Sequence, residues 1–169
     1  MTEEQQRLVF NGWLQQYKAL LLKVVRAYAF TAMDRDDLFQ EIAIQVWRSV
    51  PSFRQEAKVS TWLYRVSLNT AIGWTRKQRK HTASTQTLDD GVQILQENTA
   101  AKDDRLTWLY DEIARLDEID KSLALLMLDG FSYEEMSGIL GITGSNVGVK
   151  INRLKKHLVR RSKLLNDGI

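Results

Sequence analysis

The sequence predicts an all-α chain: two small helical domains joined by a flexible linker. Three observations carry this. One proline and few turn clusters interrupt the 169 residues, apolar side chains recur at steps of three and four, and a polar stretch without that periodicity separates two halves that have it. With 44% hydrophobic residues the chain can bury one ordinary core or two small ones, so the organisation must be read from the pattern along it.

The first predicted helix is long, because Phe10, Trp13, Leu14, Tyr17, Leu21, Val24 and Tyr28 form one core-facing stripe. A second begins near Asp34, where DRDD puts carboxylates at a helix N-terminus, and runs through Leu38, Ile42, Val46 and Trp47 to a stop before Pro51. After the loop Ser52 to Ser60, Thr61 is the expected N-cap of a third helix reaching about Lys80.

Residues His81 to Asp104 are rich in Ser, Thr, Gln and Asp and read as a linker, with VQIL in its middle able to form a short helix or dock in a groove. At about 3.3 Å per residue such a segment spans more than one turn of B-DNA, roughly 34 to 36 Å. The expected domains are therefore 1–81 and 105–169, with 82–104 between them.

The second half opens with Leu106, Leu109, Ile113 and Leu116, followed by a helix from about Ile119 to Asp129 closed by Gly130. Ser132 and Glu135 make a capping box for a short helix that Gly141 ends. Thr143 or Ser145 caps the next helix, in which Val147, Ile151, Leu154 and Leu158 form the buried stripe. Capped short helix, glycine turn, capped basic helix is the order of a helix-turn-helix.

Charge is distributed unevenly. The net +3 says little, but Ala57 to Leu88 contains no Asp or Glu against Lys58, Arg65, Arg76, Lys77, Arg79 and Lys80. Met136 to Asn166 again contains none, against Lys150, Arg153, Lys155, Lys156, Arg160, Arg161 and Lys163. Asp89 to Asp120, between them, is acidic. Two separated cationic surfaces follow, each suited to a polyanion. On the last helix Asn146, Val149, Lys150, Asn152, Arg153 and Lys156 face outward, amide and guanidinium groups being the types that read base edges while lysines suit phosphates. In Trp62 to His81, three large aromatics accompany five Lys/Arg. Such a mix serves single-stranded nucleic acid, although rings at helical spacing are more often core, and at least one edge of Trp62 or Trp74 is expected to point inward.

Other chemistries find little support. No cysteine is present, which excludes disulfides and thiolate sites and fits a reducing cytoplasm. The opening MTEEQQRLVF lacks the order of a signal peptide, and no apolar run approaches the roughly 18 residues of a membrane span, so a cytoplasmic protein without membrane insertion is expected. The cluster Asp34, Asp36, Asp37 and Glu41 reads as helix capping and a solvated or protein-facing patch in preference to a metal site. His81 and His157 lie in cationic runs and read as solvent or phosphate contacts. No nucleophile triad, phosphate loop or separated carboxylate pair appears, so no catalytic residue, metal or cofactor is expected and the chain reads as a non-enzyme.

Taken together, DRDDLFQEIAIQVWRSVPSFRQEAKVSTWLYRVSLNTAIGWTRKQRK and LDEIDKSLALLMLDGFSYEEMSGILGITGSNVGVKINRLKKHL resemble the two domains of an extracytoplasmic-function (ECF, group 4) sigma factor of bacterial RNA polymerase, in the sigma-70 family. The series D-L-x-Q-E, W-R, F-R and T-W-L-Y-R-x-x-x-N-T is the specific part, whereas the second block is shared with many helix-turn-helix regulators. The resemblance implies an alternative sigma factor that binds core polymerase and directs it to promoters. Its first domain, sigma region 2, would bind the β′ clamp helices through Asp37, Leu38, Gln40, Glu41 and Trp47. It would also open the minus-ten element through Phe53, Lys58, Arg65, Asn69, Arg76, Lys77, Arg79 and Lys80, the loop Gln55 to Ser60 setting promoter choice. The second domain, region 4, would meet the β flap and read the minus-thirty-five element with Ser145, Asn146, Val149, Lys150, Asn152, Arg153 and Lys156. An anti-sigma factor is a further implied partner, and the linker would thread toward the RNA exit path. Gly148 departs from the family's usual Lys or Arg, and Asp117 from its frequent Pro. Two alternatives stay open on the residues alone: a stand-alone helix-turn-helix regulator that dimerises, and a metal-dependent nuclease.

Overall fold

The structure, a computed structural model, describes residues 1–84 and 104–167. All regular elements among them are helical. They gather into two compact units, one holding the helices up to residue 84 and the other those from residue 104. The predicted VQIL segment and nearly all of the predicted linker lie outside the described residues.

The first unit contains α1 (Glu3–Gln16), α2 (Lys18–Tyr28), α3 (Ala32–Ser49), a single 3-10 turn (Val50–Ser52) and α4 (Val59–Ser84). The long first helix expected from the sequence is in fact two. Its stripe breaks at Tyr17, whose φ of −110° and ψ of 19° leave the helical range. The break lets one apolar pattern serve two neighbours: Phe10 and Trp13 of α1 pack on Trp47 and Phe53, while α2 packs on α3 and α4 and buries Leu21, Val24 and Val25. A straight helix would point both stripes along one line.

Helix α3 starts before Asp34, because the Thr31 side chain accepts from the Asp34 backbone N–H at 3.0 Å and caps it. Its Leu38, Ile42 and Val46 are fully buried against α4, where Leu63, Tyr64, Leu68 and Ala71 complete the core. Removing each of the Leu, Ile and Val side chains from water contributes about 1.5–3 kcal/mol. Thr61 does not cap α4. The Trp62 N–H bonds to the Lys58 carbonyl at 3.1 Å, so the helix is already under way and Thr61 lies inside its first turn.

The second unit contains α5 (Asp104–Ala114), α6 (Glu118–Leu128), α7 (Tyr133–Leu140) and α8 (Gly144–Asp167). Helix α6 is central: six consecutive residues, Lys121 to Leu126, are buried, and it packs on α5 and α8. Asp117, where the sigma resemblance leads one to expect proline, caps it by accepting from the Asp120 N–H at 2.9 Å. The Ser132–Glu135 capping box is present in both directions, and Gly141 sits at φ 70°, where glycine alone avoids a Cβ penalty. Of the two cap candidates for α8, Thr143 takes the role, accepting from the Asn146 N–H at 3.1 Å. Val147, Ile151 and Leu154 are buried and Leu158 is half-buried.

Candidate nucleic-acid interfaces

Helix α4 sorts its side chains by chemistry. Leu63, Tyr64, Ser67, Leu68 and Ala71 point into the core, while Arg65, Asn69, Arg76, Lys77, Arg79 and Lys80 are exposed. Lys58 is exposed just before the first turn. The aromatics of this region are structural first. Trp62 donates from Nε1 to Ser49 Oγ at 3.2 Å, and Trp74 donates to Asp37 Oδ2 at 3.0 Å, so both rings point inward. Phe53 is half-buried: its ring meets Trp13 edge-on at 5.2 Å and Trp62 at 5.6 Å. Its ring therefore forms one wall of an aromatic cluster and stays partly open to solvent. In the loop that precedes α4, Gln55 adopts φ 60°, a left-handed conformation uncommon outside glycine.

On α3, Asp37, Gln40 and Glu41 are exposed. Leu38 requires a correction: it is fully buried, has no surface to offer a partner, and belongs to the core that holds the other three in place. Trp47 is half-buried against Phe10 at 5.4 Å, and its carbonyl accepts from the Gln6 side chain at 2.8 Å. A cleft of about 660 Å³ runs between α3 and α4, with Asp37 and Glu41 on one wall and Asn69, Trp74, Lys77 and Lys80 on the other. Residues that the sequence assigned to two separate tasks thus share one opening.

In the second unit Ser145, Asn146, Val149, Asn152, Arg153 and Lys156 are all exposed on α8, as a groove-reading helix needs. Lys150 differs. It is half-buried, with Nζ 3.9 Å from Asp120 Oδ1 of α6. Burial, and then the neighbouring Asp117 charge, push the Asp120 carboxyl above its ordinary range, while Lys150 and Arg153 pull it down. Gly148 lies under the Tyr133 ring, where a Cβ would stand 3.6 Å from Tyr133 Cε2. Arg161 is not part of a free cationic face. It donates from Nε and Nη2 to the two oxygens of Glu112 at 3.2 and 3.1 Å, and Glu112 is only 5% exposed on α5. That bond raises the Arg161 pKa, chiefly through its hydrogen bond and then its charge. Sequence reasoning missed Asp120 and Glu112, whose only signal was membership of the acidic block.

Residues 13–81, which run from the last turn of α1 through nearly all of α4, match the family model for sigma-70 region 2. Over 165 residues the chain is 26% identical to the ECF RNA polymerase sigma factor SigM of Mycobacterium tuberculosis, covering 96% of this chain and 82% of that one. Residues 13–81 thus resemble sigma-70 region 2, and the chain as a whole is similar to extracytoplasmic-function sigma factors. The chain is also 26% identical over 159 residues to the ECF RNA polymerase sigma-E factor of Escherichia coli K12, with 87% and 83% of the two chains covered. Its fold is similar to that of the sigma factor RpoE from Bartonella quintana, solved with the anti-sigma factor NepR: TM-score 0.75 and 19% identity, over 91% of this chain and 96% of that one. CnrH, solved with the cytosolic domain of CnrY, is similar at TM-score 0.62 and 20% identity, over 95% and 90%. Among the described residues, no helix is long and apolar enough to cross a membrane.

Proposed function

We propose that this chain is an alternative sigma factor, which binds bacterial core RNA polymerase in the cytoplasm, directs it to a set of promoters and helps melt their minus-ten element. The observation that carries the reading is the region 2 match on residues 13–81, ending in a helix whose exposed side chains include Arg65, Asn69, Arg76, Lys77 and Lys80 with no carboxylate among α4's residues. A base taken out of the stack costs a few kcal/mol, which a cationic backbone track and a receiving surface must offset. In this reading residues 1–81 are region 2. The segment 82–104 is the linker, and 105–169 are region 4.

The residue roles follow the same reading. Asp37, Gln40 and Glu41, supported by Trp47, face the β′ clamp helices, and Leu38 acts by holding α3 in place. Phe53 and Lys58, with Arg65, Asn69, Arg76, Lys77, Arg79 and Lys80, track the opened strand. The α8 residues Ser145, Asn146, Val149, Lys150, Asn152, Arg153 and Lys156 enter the major groove upstream, while the same unit meets the β flap. An anti-sigma factor is the proposed regulator, and no catalytic residue is assigned. The region 2 match weighs against the stand-alone dimeric regulator that a helix-turn-helix alone allows.

Transcription reconstituted from core polymerase and the full chain, with the transcripts sequenced, tests this. New start sites that depend on the chain are expected, preceded by a shared pair of upstream elements. With about six phosphate contacts, log affinity should fall with log salt at a slope of roughly −5. A chain that neither co-purifies with core polymerase nor starts new RNA overturns the proposal.

A further inference from the structure

We propose that Asp120 is a specificity-determining positioning residue, which holds Lys150 of the recognition helix so that this cation serves base reading and is withheld from indiscriminate phosphate contact. The inference rests on the sigma-factor reading of α8. Among the α8 residues assigned to DNA, Lys150 is the cation drawn back onto another helix: its side chain is 31% exposed, beside an Asp120 that is 32% exposed. Arg153 and Lys156 stand exposed on the same helix.

Asp120 is well placed to restrain a lysine. Its backbone N–H is fixed by the Asp117 cap at 2.9 Å, and α6 itself is buried on nearly every side and packed on α8. The carboxylate therefore has little freedom to follow Lys150 outward. A lysine is a compact point charge on a flexible stem, and left alone it takes whichever phosphate is nearest. The Asp120 charge limits that choice in two ways, by attracting the ammonium and by repelling any phosphate that approaches it. Arg153 also lies near enough to favour the charged form of Asp120, so two DNA-facing cations share one acidic neighbour. A partly exposed pair at 3.9 Å contributes little to stability, so its main effect is on where Lys150 goes.

The test uses the full chain with core polymerase and two duplexes: a promoter taken from the transcripts that the two make together, and one of the same length with its upstream element scrambled. Affinities are measured across a salt series for the native chain, Asp120→Asn, Lys150→Ala and the double variant. Asp120→Asn should tighten binding to the scrambled duplex more than to the promoter, lowering their ratio by roughly fivefold or more, the lower end of what one base contact discriminates. It should also steepen the salt slope by about 0.9, the share of one added phosphate contact. Both changes should vanish when Lys150→Ala is already present. An unchanged ratio and slope, or the same shift without Lys150, overturns the proposal. If the native chain itself shows no preference for the promoter, the sigma-factor reading fails with it, and this is seen before any variant is compared.

Discussion

The indole of Trp74 donates to Asp37 across the α3–α4 cleft at 3.0 Å, so a ring buried on the helix assigned to DNA holds a carboxylate on the helix assigned to polymerase. The bond ties α3 to α4 at the mouth of the cleft they share. Trp74→Phe removes the donor and leaves most of the ring. It should lower stability by about 0.5–1.5 kcal/mol, the usual net contribution of one hydrogen bond. Asp37→Asn, which keeps an acceptor, should cost less, and urea denaturation of the two variants separates these outcomes.

Ser67 presents the opposite case. Its hydroxyl is fully buried in α4 and has no hydrogen-bond partner among the described residues. Ser67→Ala should stabilise the chain by about 1 kcal/mol, since an unmet buried donor is removed and alanine is the better helix former. The denaturation midpoint should rise while promoter binding stays unchanged; a lower midpoint would show that the hydroxyl is satisfied in solution.

Gly148 lies in the interior of α8, and a Cβ there meets the Tyr133 ring at 3.6 Å, an ordinary contact. Gly148→Ala should therefore stabilise the second unit by up to about 1 kcal/mol through helix propensity. Thermal unfolding followed by circular dichroism checks this, and a lowered melting temperature would mean that Tyr133 cannot accommodate the methyl group.

Asp120 gives a pH dependence of defined sign. Its folded pKa lies above the ordinary 3.8, first through burial and then through Asp117, so the folded state holds the proton more tightly than the unfolded chain does. The stabilising contribution of this group is fully present below its unfolded pKa and is lost as pH rises through the folded one. Asp120→Asn should then be more stable than the native chain near neutral pH, with the gap closing as pH falls toward about 4. Melts across that range test it. A variant less stable at neutral pH would mean that attraction to Lys150 and Arg153 outweighs the burial of the charge.

Arg161 and Lys156 are both cations of α8, yet they should behave differently. Arg161 is engaged by the buried Glu112, whereas Lys156 is exposed. Lys156→Ala should flatten the salt dependence of promoter binding by about 0.9. Arg161→Ala should leave the slope alone and instead quicken hydrogen exchange in α5 and the end of α8, because it strips the Glu112 carboxylate of its closest partner. A slope change in Arg161→Ala would place that side chain on DNA.

Much of the second unit was legible because its signals are local. The Ser132–Glu135 box, Gly141 at positive φ and the Val147, Ile151 and Leu154 stripe each link residues at successive steps of three or four, where helix geometry alone decides which face they share. The same reasoning failed at Tyr17, where no glycine or proline marks the break, and at Thr61, a good cap residue that the helix start bypasses.

The sequence by itself determined the all-α class, the helix-turn-helix and the two cation-only stretches, because periodicity, capping and charge order are properties of neighbouring residues. Only the tertiary structure decided which of those charges face outward. Glu112 meets Arg161, Asp120 meets Lys150, Asp37 meets Trp74, and Leu38 vanishes into the core, each through helices brought together by burying apolar faces far apart in the chain. Helical spacing cannot foretell those pairings, since it fixes which way a side chain points from its own axis and leaves open what stands opposite.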